Sequence, residues 1–305
     1  MNNKSRKVFL VKTDDRNHGI NKLMGQFNLD KFKGDKVAIK ANFNSADPFP
    51  ASTHIDTVRA IVNKLREIEV SEIVLAERSG MGNTQDVLDK MGVFKLSEEL
   101  GFEALALDRE DREEWVKIKK DGMHWLKGFY ISKLFLETKR VIQTCCLKTH
   151  RFGGHFTLSL KNSVGLVAKR LPGGLYNYMA ELHMSPYQRQ MIAEINDHYH
   201  VDFVIMDAIK AFINKGPEQG KLVQPNLILA SSDRVALDAV GVAVLRNYGA
   251  ETDISKGKIF DLDQIKRASE LEFGVKSADQ IELISLNGEV EADLRNIEKI
   301  FKDEL

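Results

Sequence analysis

KVAIKANFNSADPFPASTHIDTVRAIVNKLREIEVSEIVLAERSG, residues 36–80, reads as strand, loop, helix and strand in succession. Lys36 to Asn42 holds an unbroken apolar run, Val37, Ala38 and Ile39, and turns polar at Lys40 and Asn42, where the strand should stop. The two prolines of the NSADPFPAST loop keep it out of regular structure. Thr53 with Asp56 resembles a capping box. Apolar Ile55, Val58, Val62 and Leu65 then recur at helical spacing, and Ser71 to Ala76 is again a short apolar strand. Such a unit predicts parallel pairing.

Working outward, Val8 to Val11 is an earlier β-like run, and Asn21 to Phe32 reads as helical, stopped at Gly34. Downstream, ERSGMGNT (77–84) carries Gly80 and Gly82 between a strand and a helix start. That arrangement binds anions at backbone N–H groups. Its spacing matches neither the dinucleotide fingerprint nor the P-loop, and a tight β-to-α turn accounts for the same residues. Phe102 to Leu107 is a further strand. The expectation is an α/β fold, a mostly parallel sheet with helices on both faces, built from successive βαβ units with insertions.

The second half is less regular. Residues 108–130 are highly charged, carry both tryptophans and read as a surface insertion or hairpin anchored by Trp115 and Trp125. Phe129 to Leu136 is a strand or a short helix, and Arg140 to Cys146 is a buried strand. Residues 166–190, long and glycine-bearing, are a candidate lid. Ser185 and Pro186 then mark a helix start. Val201 to Met206 is a strand ending at Asp207, and Leu227 to Ala230 is another. Asp233 caps the helix that follows. Past 250 the chain reads as two helices around a strand at Ile281 to Ser285. The division is a main domain over 1–250 and a C-terminal α/β extension over 251–305 packed on it.

The chain has 305 residues, 43% hydrophobic and 29% charged, as in ordinary globular proteins. Lys plus Arg and Asp plus Glu both number 44, so the net charge is zero. That argues against nucleic acid or an anionic membrane as partner. No apolar run reaches the ~18 residues of a membrane-spanning helix, and the first residues do not read as a signal peptide. Two adjacent cysteines make no disulfide framework and suggest a reducing compartment, so a cytoplasmic protein is expected. Homo-oligomerisation is left open.

The densest polar constellation is CCLKTHRFGGHFTLSLKNSVG, residues 145–165. An apolar run delivers Lys148 and His150. Arg151, the pair Gly153-Gly154, His155, Lys161 and Asn162 follow. A parallel sheet would gather Lys148, His150, Lys161 and Asn162 at its carboxyl edge with Lys40, Asn42 and His183, faced by Asp207, Asp233 and Asp238. Three lysines in one cleft repel each other by ~4 kcal/mol per pair at close range. An anion or carboxylates must therefore offset them, and Asp207 and Asp233 are the expected compensators. His150, Lys161 and His183 are the candidate catalytic groups. Lys40, Asn42, Lys148, Asn162, Gly80, Gly82, Asp207 and Asp233 are the candidate substrate contacts. His150, His155, His183 and Asp207 also offer donors to a divalent metal, although no recognised ligand spacing appears. A solvated basic loop after a buried strand is the plainer account of the same stretch.

The ordered set IKANF, LKTH, LKNSVG, IMDAI, KGPEQG and SSDRVALDAVG resembles the uncharacterised family called domain of unknown function 362, over roughly residues 36–250. Many relatives carry a four-cysteine ferredoxin-like segment. This chain has only Cys145 and Cys146, so the resemblance brings no iron–sulfur cluster with it. The expectation is an enzyme acting on a small anionic substrate, a carboxylate or phosphate. A non-catalytic anion-binding module, or an accessory to a redox partner, is the alternative.

Overall fold

The computed structural model describes residues 6–151 and 155–303, so Gly153-Gly154 lies outside the described residues. Twelve strands are assigned among them: β1 Arg6–Lys12, β2 Lys36–Lys40, β3 Glu72–Glu77, β4 Glu103–Ala106, β5 Trp115–Ile118, β6 Phe129–Ser132, β7 Arg140–Thr149, β8 Phe156–Thr157, β9 Phe203–Phe212, β10 Leu222–Val223, β11 Leu227–Ser231 and β12 Ile281–Ser285. Ten form one sheet, in the order β12-β1-β11-β9-β7-β2-β3-β4, with β10 added to β9 and β8 to β7. Along that path only β11 runs against its neighbours; the other seven strands share one direction. The fold is therefore α/β with a mostly parallel sheet.

The strands read as continuous apolar runs because both faces are covered. Val37 and Ile39 face the layer built on helices Arg16–Met24, Ile55–Glu67, Thr84–Lys90 and Val93–Leu100. Ala38, Val74 and Ala76 face the opposite layer, where helices Gln188–Asn196, Arg234–Asn247 and Asp263–Glu270 pack. Helix Arg234–Asn247 is buried all round, from Val235 to Leu245.

Several local expectations are corrected. Helix Ile55–Glu67 is capped by His54, whose Nδ1 accepts from Asp56 N at 3.2 Å; the Thr53 hydroxyl instead accepts from Asn42 N. The first helix is Arg16–Met24, followed by a separate 3₁₀ turn at Leu29–Phe32. Strand β9 continues past Asp207 to Phe212, because β7 and β10 go on supplying partners there. Helix Gln188–Asn196 starts after Tyr187, with no side-chain cap from Ser185.

Residues 108–130 hold β5, which pairs antiparallel with β6. Trp115 and Trp125 are buried, and Trp125 Nε1 donates to Met191 O at 3.1 Å. The 166–190 segment contains helix Tyr178–Met184. The C-terminal residues do more than pack on the sheet. Strand β12 pairs parallel with β1 as its edge, flanked by helices Asp263–Glu270 and Glu291–Lys302. Among the described residues no helix is long and apolar enough to cross a membrane.

Candidate functional site

From β2 the chain steps to β3 and β4 on one side, and β7 later takes the other side of β2. The strand order therefore reverses between β2 and β7, and the loops beyond their carboxyl ends diverge. Open α/β sheets form their ligand crevices at this point. A cleft of about 150 Å³ lies there. Its wall includes Lys40 from the end of β2, Glu77 from the end of β3 with Arg78 just after it, and Lys148 from β7 with His150 just after that strand. Lys161, Asn162 and Gly165 come from the short helix Ser159–Asn162 and the turn after it, and His183 from helix Tyr178–Met184.

Eight of the sequence-derived candidates thus share one cleft: Lys40, Asn42, Gly80, Lys148, His150, Lys161, Asn162 and His183. Gly82 does not line it; it holds φ +86° in the turn before helix Thr84–Lys90. The expectation that Asp207 and Asp233 offset the lysines is corrected. Asp207 points to the other sheet face, where it accepts from Arg16 Nε at 2.7 Å and Thr57 Oγ1 at 2.9 Å. Asp233 follows the reversed strand β11, so it lies at the opposite edge of the sheet, accepting from Val235 N and Ala236 N.

The compensating carboxylate is Glu77. Its two oxygens lie 2.7 and 2.8 Å from Lys40 Nζ, with both side chains almost fully buried. Glu77 also accepts from Phe43 N and Arg78 N. Lys40 donates further to Ala41 O and, at 3.0 Å, to Asn162 Oδ1. All three of its N–H donors are engaged, so Lys40 ties β2, β3 and the 159–165 turn together and has none left for a ligand. A Cβ at Gly165 would stand 2.8 Å from Lys40 Nζ and closer still to Glu77 Oε1, which is why that position carries no side chain. Arg78, also buried, donates to the carbonyls of Val164, Val167 and Ser79 and fixes the same turn.

Lys148 donates to Pro50 O at 3.2 Å and to Ala51 O, using two of three donors. Lys161 is different. Among the described residues it has no carboxylate partner. Burial and the nearby charges of Arg189, Lys148 and Arg78 push its amine down to about 7. It is held in place from behind. Asp238, buried on helix Arg234–Asn247, accepts from Ser159 N at 2.8 Å, Leu160 N at 3.0 Å and the Ser159 hydroxyl. Burial pushes that carboxyl up to about 7.

His183 Nδ1 lies 2.6 Å from Met179 O. A carbonyl only accepts, so Nδ1 carries the proton and Nε2 is left as the acceptor. Burial lowers its basicity, so the ring is neutral near pH 7. His150 is buried in the wall. His155 does not line the cleft, and burial pushes it down to about 4. Among the described residues no three His, Cys, Asp or Glu side chains gather as a metal would need. The cysteines do not suit a cluster either: both are buried on β7, alternate between its faces, and have thiols pushed up by burial, Cys146 to about 11.

Sequence reading missed Glu77, Arg151, Gly165 and Glu218 as wall residues. Glu77 did carry a signal, an acid ending an apolar strand one ladder over from a strand ending in Lys40. Glu218 pairs with Arg151 in the cleft wall, a contact between chain segments far apart that spacing does not show.

No curated protein matches the chain. Among solved structures it is similar to the lactate racemase apoprotein from Thermoanaerobacterium thermosaccharolyticum, with 16% identity and a TM-score of 0.46 over 75% of this chain and 55% of that one. It is also similar to a structural-genomics target from Thermotoga maritima, with 12% identity and a TM-score of 0.43 over 71% of this chain and 54% of that one. It thus spans about half the length of either. The family model described as Domain of unknown function (DUF362) matches residues 37–243, and the chain belongs to that family.

Proposed function

We propose that the cleft is an active site for a small anionic substrate, a carboxylate or a phosphate. One observation carries this reading. Four cationic side chains, Lys40, Arg78, Lys148 and Arg151, line the cleft against two carboxylates, Glu77 and Glu218, with the Lys161 amine beside them. Both carboxylates already have a partner, Glu77 in Lys40 and Glu218 in Arg151. The surplus positive charge favours an anion in a site partly shielded from water. At about 150 Å³ the cleft is smaller than the ~300–1,000 Å³ of sites for drug-sized ligands, so the guest has few heavy atoms. The neutral His183 ring, with Nε2 as acceptor, supplies a general base beside it.

Calorimetric titration with inorganic phosphate and short carboxylates tests the reading. Lys148→Met, with its fold checked by circular dichroism, should weaken anion binding by about tenfold or more, worth ~1.4 kcal/mol. Affinity equal to that of the parent protein overturns the anion site. His183→Gln separates catalysis from binding alone: turnover should fall by about 10²–10⁴ with affinity kept. Unchanged turnover removes His183 as the base, and anion binding with no turnover in the parent protein leaves a non-catalytic anion-binding module.

A further inference from the structure

A deprotonated amine is a poor anion ligand and a good nucleophile. Lys161 is therefore a puzzle if the cleft merely holds negative charge. The residues around it divide into two sets. Lys148 keeps one N–H donor uncommitted, and Asn162 keeps one amide N–H after donating to Thr144 O at 3.0 Å. With the Arg151 guanidinium, these suit a carboxylate. Lys161 has no hydrogen-bond or ion-pair partner among the described residues, and it shares the wall with the unprotonated Nε2 of His183. These suit an electrophilic carbon and the protons that leave or join it.

We propose that Lys161 forms an imine with the carbonyl carbon of a small 2-oxo acid whose carboxylate lies toward Lys148 and Asn162. The step rests on the anion reading above and adds the substrate's second functional group. The amine nitrogen adds to the carbonyl carbon, and the carbonyl oxygen takes a proton to give a carbinolamine. The C–O bond then breaks, and oxygen leaves as water with the two hydrogens that the amine has lost. His183 Nε2 carries a proton between nitrogen and departing oxygen. No oxidant or reductant is needed. The neutral imine then takes a proton on nitrogen from solvent, and the iminium so formed withdraws electrons from the neighbouring carbon, as proton abstraction or decarboxylation there requires.

Reductive trapping tests this. The protein is incubated at pH 7.5 with pyruvate, glyoxylate or 2-oxoglutarate and sodium cyanoborohydride, and the adducts are located by peptide mass mapping. An ordinary lysine is unprotonated in about one molecule in a thousand at that pH, so Lys161 should be labelled at least about tenfold above any other lysine. Inorganic phosphate should suppress that labelling, and Lys161→Arg should abolish it. Labelling spread evenly over surface lysines, or none at Lys161 with any of the three acids, overturns the proposal, and mapping the unmutated protein reads this even if Lys161→Arg misfolds. Calorimetry with pyruvate in parallel separates the two claims. Binding without an adduct removes the imine alone, whereas absence of any anion binding removes the anion reading as well.

Discussion

At the scale of single residues the cleft floor is one buried ion pair with its fasteners. Lys40 and Glu77 satisfy each other, and removing one partner leaves the other charge stranded. Glu77→Gln should cost ~3–5 kcal/mol, read as a lower denaturation midpoint. Gly165→Ala presses a methyl group onto the same pair and should cost ~1–3 kcal/mol while displacing Asn162. Lys161 makes a prediction in pH. Its folded value, about 7, lies below the unfolded 10.5, so between these values the unfolded chain holds a proton that the folded one lacks. Stability from this group is therefore greatest above about pH 10.5 and falls as pH drops to about 7. Lys161→Gln should be more stable than the parent protein at pH 7, by a margin that shrinks toward pH 10; an unchanging margin in urea melts at both pH values would contradict this.

At the scale of elements, Asp238 anchors the turn that presents Lys161 without touching the cleft. Asp238→Ala leaves the donors on Ser159 and Leu160 unsatisfied, at ~1–3 kcal/mol, and should weaken anion binding through misplacement of Lys161. Its own titration runs in the opposite sense to that of Lys161. The folded carboxyl keeps its proton up to about 7 and the unfolded one only to about 3.8, so its contribution is largest below pH 4 and fades as pH rises to 7. Melting temperatures between pH 4 and 7 should show that slope in the parent protein and not in Asp238→Ala. The elements themselves were mostly legible. Lys36–Lys40, Glu72–Glu77 and Ile281–Ser285 announce themselves by short apolar runs, and Asp233 announces its helix by capping it. Neither the orientation of β11 nor the faces of Asp207 and Asp233 could be read. An apolar strand buried on both sides looks the same in either direction, and the direction decides which edge its last residue reaches. Lys40, Lys148 and His150 were legible because they lie at strand ends; the counter-charge of Lys40 was not, because Glu77 meets it only once β2 and β3 are laid side by side.

At the scale of the molecule, the sheet is closed at one side by residues from near the two ends of the described chain. Strand β1 lies between β11 and β12, and Lys12 pairs with Asp293 at 2.6 Å. A chain shortened before Ile281 exposes the edge of β1 and the part of the core that Val290, Leu294, Ile297 and Phe301 cover. It should self-associate on gel filtration, whereas a truncated monomer with a full cooperative melt would contradict this placement. The same arrangement has a consequence in time. Leu10 must wait for Leu229, about 220 positions later in synthesis, which at ~5–20 residues per second is on the order of tens of seconds. During that interval an aliphatic ribbon leaves the ribosome with neither neighbour yet made. Hydrogen-exchange pulses on refolding protein should find its amides among the last to gain protection, and a nascent chain halted before β11 should be a client for chaperones.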